Sequence, residues 1–301
     1  MLEKLSYLTK QKTQAFKHHC KKQLFGESVS TPVLIVLGAQ KSGTTALYTY
    51  LEKHPNIQVP RPKELNYFSS IEPSKIDVNN YLDLFPKTYG RQSISVSVDI
   101  SPSYLLDCRH CVGLAEQLDL PFKYLVVLRE PVARAISAWH MYKQLLKIDP
   151  NWFLAEKWVI NFQQLGTDLI RRSANFGDNF VADIEAEIEV LEQGKRIEYP
   201  IVEFGLYEDQ LSALYSMVDS SNILIINNLE LKNNTQVCLS KVLKFMQLED
   251  HNFNDKDLQP QFVGQAKSAL PENQLTALRE YYNLRNKGIE LRFPSAKKWS
   301  L

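Results

Sequence analysis

Residues 33–47 read Val-Leu-Ile-Val-Leu-Gly-Ala-Gln-Lys-Ser-Gly-Thr-Thr-Ala-Leu and decide the fold. The aliphatic run predicts a buried strand, the glycines Gly38 and Gly43 mark a loop, and a helical pattern follows at once. Glycines admit backbone angles and close approaches that a Cβ would forbid. Successive backbone N–H groups, together with the positive end of the following helix, form a cradle for an anion. The stretch therefore predicts a strand, an anion-binding loop and a helix.

The position of the lysine separates this loop from a Walker A loop. In a Walker A loop the lysine directly follows the second glycine. Here Thr44 has that place, and Lys41 lies inside the loop. A lysine at that position reaches toward the group being transferred and the oxygen next to it. The displaced lysine argues against a nucleotide kinase that uses ATP and Mg²⁺, which stays open as an alternative together with a non-catalytic nucleotide-binding protein.

The rest of the chain alternates strand-like and helical patterns, which favours α/β layers. Three further short apolar runs read as strands buried on both faces, as in a parallel sheet. We therefore predict an α/β, P-loop-like three-layer fold with a central, mostly parallel sheet flanked by helices. A single domain is expected over 31–301, after a basic N-terminal helical extension over 1–30. The further strands are expected at Ser95–Ile100, Tyr124–Leu128 and Ile223–Ile226. The helices are expected at Thr44–Lys53, Val78–Phe85, Tyr104–Leu118, Val132–Leu146, Phe180–Gln193, Gln210–Val218, Val237–Met246 and Pro271–Lys287.

Composition excludes several classes of function. The 35 Lys and Arg residues against 34 Asp and Glu residues give a net charge of +1, which argues against wrapping nucleic acid. The longest aliphatic runs are far shorter than the ~20 residues needed to cross a bilayer, so no integral membrane contact is expected. No apolar export signal is evident, and a cytoplasmic location is predicted. The four cysteines are expected to be ordinary reduced thiols, with no metal site.

A second anion site is predicted where the strand Tyr124–Leu128 meets the next helix. Arg129 ends the strand, Pro131 suits the first helical turn, and Ser137 lies about two turns into the helix. Both Arg129 and Ser137 are in reach of one phosphate, with the guanidinium making a forked, charge-assisted contact. Arg134 is expected to be a structural, ion-pairing residue instead.

These motifs resemble those of the sulfotransferases that use 3′-phosphoadenosine-5′-phosphosulfate (PAPS). Gln40-Lys41-Ser42-Gly43-Thr44-Thr45 resembles their 5′-phosphosulfate loop, and the Arg129 to Ser137 segment their 3′-phosphate motif. The continuation His54-Pro55 and Lys63-Glu64-Leu65-Asn66-Tyr67-Phe68 is most similar to the heparan-sulfate and bacterial branch. The resemblance runs with gaps from about Pro32 to Gly288. It implies that PAPS is the donor, with adenosine 3′,5′-bisphosphate as product, and that the chemistry needs no metal. It also implies which residues bind the donor: Gln40, Lys41, Ser42, Gly43, Thr44, Thr45, Arg129, Ser137, Tyr207 and Lys267.

By the same resemblance, the enzyme transfers a sulfuryl group to a hydroxyl or amine. Lys41 would stabilise the bridging oxygen, and Glu64 would accept the acceptor's proton. One departure concerns Ile100, which stands where heparan-type members carry a lysine. This puts a polysaccharide acceptor in doubt and favours a small natural product, with a carbohydrate kept as the other expectation. Asp99 or His140 is expected to take the place of that second lysine in handling the acceptor. The aromatic stretch Trp152–Phe162 is expected to form a lid that lines the acceptor pocket.

Overall fold

The computed structural model describes residues 32–86, 96–159, 162, 169–254, 256–258 and 270–299. All four predicted strands are confirmed, with bounds that agree within one residue. They form a five-stranded, all-parallel sheet together with one short strand that the sequence did not reveal. The strands are β1 (Pro32–Gly38), β2 (Ile57–Gln58), β3 (Val96–Ile100), β4 (Lys123–Leu128), β5 (Leu169–Ile170), β6 (Arg196–Ile197) and β7 (Ile223–Asn227). Their order in the large sheet is β2-β3-β1-β4-β7, and β5 pairs only with β6.

The predicted helices are also present, some of them shorter than expected. The helices are α1 (Thr44–Leu51), α2 (Tyr67–Ser70), α3 (Val78–Leu82), α4 (Cys108–Glu116), α5 (Pro131–Ile148), α6 (Trp152–Ala155), α7 (Phe180–Glu192), α8 (Tyr207–Tyr215), α9 (Asn228–Asn233), α10 (Thr235–Phe245) and α11 (Thr276–Arg285). Helix α4 begins four residues later than Tyr104, its expected start. The reason is that the Leu105 N–H donates to the carbonyl of Leu37 (2.8 Å), which holds this segment as a turn over the end of β1.

Side chains of β1 alternate between two helical layers, which confirms the three-layer fold. Leu34 and Val36 pack against α1 and α10 on one face. Ile35 and Leu37 pack against α2, α4 and α8 on the other. Because β1 is the central strand and is covered on both faces, the loop that leaves its carboxyl end is fixed at the edge of the sheet.

The aromatic stretch around α6 differs from its expected role as a pocket lining. Phe153, Trp158 and Phe162 are buried, and the ring of Trp158 lies 5.3 Å from that of Phe153 and 5.4 Å from that of Phe162. They join a third core cluster formed mainly by α5, α7 and α11. The expectation failed because aromatic residues without a clear period look alike in sequence whether they fill a core or face a ligand.

A buried network of hydrogen bonds around Glu187 of α7 orients the segment that leads into α8. The Glu187 carboxylate accepts hydrogen bonds from the N–H groups of Ile201 (2.8 Å) and Glu203 (3.0 Å). It also pairs with Arg172, and both side chains are buried. The carbonyl of Ile201 in turn accepts a hydrogen bond from Arg134 of α5. The segment before α8 is therefore held to α5 and α7 at once.

Removing this carboxylate should destabilise the fold strongly. We expect Glu187→Ala to lower the free energy of unfolding by about 3–5 kcal/mol, because it strands a buried guanidinium and two backbone N–H groups. Glu189→Ala, at an exposed position of the same helix, should stay within about 0.5 kcal/mol of the parent. Urea unfolding followed by circular dichroism measures both. An equal loss of unfolding free energy in the two variants would contradict this role of Glu187.

Candidate active site

The loop between β1 and α1 is shaped by positive φ angles and tight packing. Gly43 has a φ of +100°, and a Cβ there would lie 2.7 Å from Nδ2 of Asn228. At Gly38 a Cβ would lie 2.8 Å from Cβ of Leu105, so the loop after β3 closes against the end of β1. Lys41 adopts a φ of +66°, which is uncommon for a residue other than glycine. Backbone strain of this kind clusters at functional sites.

The first turn of α1 is open to an anion. Gly43 is its N-cap residue and, having no side chain, places no capping group on the N–H groups that follow. Thr44 is buried, while Thr45 is half-buried. Uncapped N–H groups at a helix N-terminus, at the positive end of the helix dipole, favour an anionic ligand. The strand, loop and uncapped helix start are therefore as predicted, and the binding of an anion at residues 40–45 stays a prediction.

Two side chains that the sequence did not single out brace this loop. Nδ2 of Asn228, directly after β7, donates to the carbonyl of Ser42 (2.7 Å). The amide of Gln40 is hydrogen-bonded to the hydroxyl of Tyr142 on α5 (3.1 Å). Asn228 had a usable signal, because it follows a buried parallel strand just as Arg129 does. The position of Tyr142 depends on the packing of α5 and had none.

Arg129 lies directly beside the loop. Its Nη1 donates to the carbonyl of Lys41 (3.0 Å), and its own carbonyl accepts a hydrogen bond from the Tyr207 hydroxyl (2.9 Å). Burial lowers the pKa of Arg129, and the guanidinium forms no ion pair with a carboxylate of the described residues. Tyr207 is fully buried behind it and lies beside Ser42. The structure thus brings Lys41, Arg129 and Tyr207 together, with Tyr207 supporting Arg129 from the core side.

The start of α5 is organised differently from the start of α1. The carboxylate of Glu130 accepts from the N–H groups of Val132 (3.0 Å) and Ala133 (2.6 Å), so this N-terminus is already capped. An anion at this site would therefore rely on Arg129 and on Ser137, which is half-buried on α5. No hydrogen bond joins the described side chains of Arg129 and Ser137, and their action on one phosphate stays a prediction.

Arg134 has the expected structural role but not the expected partner. It is fully buried, donates to the carbonyl of Ile201 and lies over the ring of Phe204 (6.0 Å from its guanidinium carbon to the ring centre). It makes no ion pair with any carboxylate among the described residues. The prediction of an ion pair was therefore wrong, because a backbone carbonyl and a ring, which no motif encodes, complete its surroundings.

Glu64 lies on the β3 side of the loop. Its carboxylate is about half exposed and pairs with Nζ of Lys63 (2.6 Å). Its charge acts on two other carboxyl groups: burial and then Glu64 raise the pKa of Glu156, and burial is the main cause that raises the pKa of Asp99 to about 6. Glu64 is thus an accessible carboxylate close to the buried Asp99 and to Glu156 of the segment after α6.

The other candidates are settled in part. Asp99 is completely buried, which contradicts the alternative that it handles an acceptor. The His140 ring packs 4.9 Å from that of Trp139 on α5, and its alternative role stays a prediction. Lys267 lies outside the described residues. Cys108, Cys111 and Cys238 are buried and form no disulfide with one another, and Cys20 lies outside the described residues.

A sequence profile described as "Sulfotransferase domain" matches residues 31–287, which is most of the chain. The chain belongs to the sulfotransferase family. A solved sulfotransferase from Alicyclobacillus acidocaldarius shares this fold: it superposes with a TM-score of 0.63 at 20% identity, over 90% of this chain and all of that one.

Two curated relatives illustrate how distant the sulfotransferase similarity is. The membrane-associated sulfotransferase kil1 of Dictyostelium discoideum is 33% identical over 122 residues, covering 40% of this chain and 25% of kil1. The heparan sulfate glucosamine 3-O-sulfotransferase 5 of Mus musculus is 24% identical over 210 residues, covering 62% of this chain and 59% of the relative. The chain thus spans less than two thirds of either relative's length. Among its described residues, no helix is both long and apolar enough to cross a membrane.

The geometry of the sulfotransferase loop predicts opposite outcomes for two glycine substitutions. Gly43→Ala should lower the free energy of unfolding by about 1–3 kcal/mol, since it combines a positive φ with displacement of Asn228 from Ser42. Gly113→Ala should raise it by about 0.5–1 kcal/mol, because Gly113 lies inside α4, where a new Cβ meets only Met217 Cε at 3.6 Å. Thermal unfolding of the purified variants tests both predictions. A Gly43→Ala protein that is as stable as the parent would refute this account of the loop.

Proposed function

We propose that this protein transfers the sulfuryl group of PAPS to a hydroxyl or amine of an acceptor. The observation that carries the proposal is the hydrogen bond from Arg129 to the carbonyl of Lys41. It sets a half-buried guanidinium beside a loop whose helix N-terminus is uncapped. Two adjacent sites for anionic groups suit a donor that carries charge at both its 5′ and 3′ ends.

The residues present fit such a donor. Arg129 is half-buried beside the loop, and none of the carboxylates that the structure describes forms an ion pair with it, so its guanidinium suits an anionic ligand. In this proposal Gln40, Ser42, Gly43, Thr44 and Thr45 hold the 5′-phosphosulfate, while Arg129 and Ser137 hold the 3′-phosphate. Tyr207 supports Arg129 from behind. Lys267 remains a proposed ligand of the 3′-phosphate.

The residues of the site divide the chemistry between them. PAPS supplies the sulfuryl group, whose bond to the bridging phosphate oxygen breaks as a new bond to the acceptor oxygen or nitrogen forms. Lys41 stabilises the negative charge that develops on the bridging oxygen. Glu64 removes the proton from the acceptor, and its exposed carboxylate is accessible for that task. Lys63, which pairs with Glu64, keeps a compensating positive charge close by.

For the acceptor, we infer a small natural product in preference to a polysaccharide. Ile100, at the position where heparan-type members carry a lysine, is fully buried in β3. No cation is thus presented there to a polyanionic chain. A carbohydrate is the alternative, since one relative is named for the glucosamine of heparan sulfate. Transfer from labelled PAPS to 2-naphthol, 1-hexanol, benzylamine and a glucosamine disaccharide separates these classes.

The cytoplasmic location, the single domain over 31–301 and the extension over 1–30 stay predictions, and the extension lies outside the described residues.

A thermal-shift comparison should identify the donor class. Adenosine 3′,5′-bisphosphate at a hundredfold excess over its Kd should stabilise the protein by about 2.7 kcal/mol, and ATP–Mg²⁺ should stabilise it much less. Arg129→Ala should weaken binding of the bisphosphate by about 10- to 100-fold, the cost of a lost charged hydrogen bond. Its binding of AMP, which lacks the 3′-phosphate, should change far less.

Arg171→Ala is the matched control, because the Arg171 side chain is 82% exposed. A larger shift with ATP–Mg²⁺ would favour the kinase alternative. Equal losses of AMP and bisphosphate binding in Arg129→Ala would show that Arg129 only holds the loop.

Lys41→Ala should separate catalysis from stability. We expect kcat to fall by about 10²- to 10³-fold, the usual cost of removing one group that stabilises transition-state charge. The melting temperature should stay close to that of the parent, since alanine and lysine share the same Cβ constraint at this φ. Lys53→Ala, exposed just beyond α1, should leave kcat unchanged. Steady-state transfer of ³⁵S from PAPS measures both, and unchanged turnover in Lys41→Ala would refute the role of Lys41.

A further inference from the structure

Asp99 is a buried carboxylate that the proposed chemistry does not use. It is the penultimate residue of β3, next to Ile100, and is completely shielded from solvent. Three hydroxyl groups donate to it: Ser101 at 2.7 Å, Tyr104 at 3.1 Å and Tyr81 at 3.2 Å. Burying a carboxylate that has only neutral hydrogen-bond donors costs free energy. A structural role of Asp99 would account for its presence at this position.

Two of these hydroxyls also accept hydrogen bonds from the backbone just after Glu64. The Ser101 oxygen accepts from the N–H of Asn66 (3.1 Å), and the Tyr104 oxygen accepts from the N–H of Phe68 (3.3 Å). Because each hydroxyl donates its only proton to Asp99, its lone pairs are directed to these N–H groups. The carboxylate thus orients both hydroxyls as acceptors for the segment 66–68.

The segment that receives these contacts is itself constrained. Asn66 adopts a φ of +48°, and its side-chain oxygen accepts from the hydroxyl of Ser103 (2.8 Å). Phe68 is buried. Glu64 therefore sits two residues before a point fixed from both its backbone and its side chain, although its own carboxylate is half exposed.

We propose that Asp99 is a positioning residue, which sets the location of the Glu64 carboxylate through Ser101 and Tyr104. The inference rests on the proposed function, in which Glu64 is the base. Proton transfer demands that the base lie within hydrogen-bond reach of the acceptor, and displacements of about 1 Å can cost about 100-fold in rate. The donor loop is braced by Asn228, Tyr142 and Arg129 instead, so donor binding should not depend on Asp99.

The chain offers an isosteric pair of substitutions that tests this proposal. Tyr104→Phe and Tyr81→Phe each remove one hydroxyl from the same oxygen of Asp99, Oδ2. Only Tyr104 also accepts from the segment after Glu64. Both variants should bind adenosine 3′,5′-bisphosphate like the parent. Tyr104→Phe should lose somewhat more melting temperature than Tyr81→Phe, because it also leaves the N–H of Phe68 without its acceptor. Tyr104→Phe should lower kcat about tenfold, the equivalent of one lost hydrogen bond of about 1.4 kcal/mol, and Tyr81→Phe should stay within about twofold. Ser101→Ala removes the other hydroxyl that joins Asp99 to the segment after Glu64, and it should behave like Tyr104→Phe.

Measurements in the Glu64→Gln variant separate the role of Asp99 from the role of Glu64 as the base. The rate is that of ³⁵S transfer from PAPS to whichever of 2-naphthol, 1-hexanol, benzylamine and the glucosamine disaccharide the parent sulfates fastest. If Tyr104 acts through Glu64, the tenfold effect of Tyr104→Phe should shrink to less than about twofold once Glu64 is Gln. Equal kcat values in Tyr104→Phe and Tyr81→Phe, with a slow Glu64→Gln, would overturn only the role of Asp99. An unimpaired Glu64→Gln enzyme would overturn the assignment of the base and, with it, this inference.

Discussion

The hydrogen bond between the guanidinium of Arg129 and the carbonyl of Lys41 is the contact on which the candidate site depends. It exists because β1 and β4 are neighbouring parallel strands, whose carboxyl ends meet at one edge of the sheet. The loop after β1 and the residue after β4 are thus adjacent in space although 88 positions separate them. The buried Tyr207 hydroxyl fixes the other side of Arg129. A cation that is held from two sides and partly desolvated is prepared for an anion before any ligand arrives.

The loop after β1 and the place of Arg129 beside it could be predicted because they follow from local rules. Val33–Leu37 and Tyr124–Leu128 are apolar on both faces, which identifies central parallel strands from composition alone. Gly43 is required by a positive φ, and such positions show directly in a sequence. Arg129 was found because it ends a strand and lies near the N-terminus of the next helix, where a phosphate can bind. Polar residues that follow parallel strands converge at one edge of the sheet, and this rule, applied to Asn228 after β7, would have found the side chain that holds the loop.

The rest of the site depends on contacts between distant parts of the chain. Asn228 and Ser42 are 186 positions apart, and Gln40 and Tyr142 are 102 apart. Asn228 at least follows a parallel strand, whereas nothing in the local pattern around Tyr142 indicates its contact with Gln40. The aromatic residues Phe153 and Trp158 were misjudged for a related reason, since an apolar ring is equally compatible with a core and with a pocket. Asp99 was misjudged in the opposite direction, because a carboxylate at a strand end is normally exposed and its three hydroxyl partners became visible only in the fold.

The strand order explains how this site separates its two tasks. Because β1 lies between β3 and β4, its loop has Glu64 and Asp99 on one side and Arg129 on the other. Contacts to the loop after β1, the proposed donor site, come from β4, β7 and α5. Contacts to the segment after Glu64, the proposed acceptor side, come from the turn that follows β3. The two sets meet at the end of β1, where Gly38 packs against Leu105. A change on the β3 side, such as an apolar Ile100 at a position that related enzymes give to lysine, can therefore alter the choice of acceptor while the donor contacts stay intact.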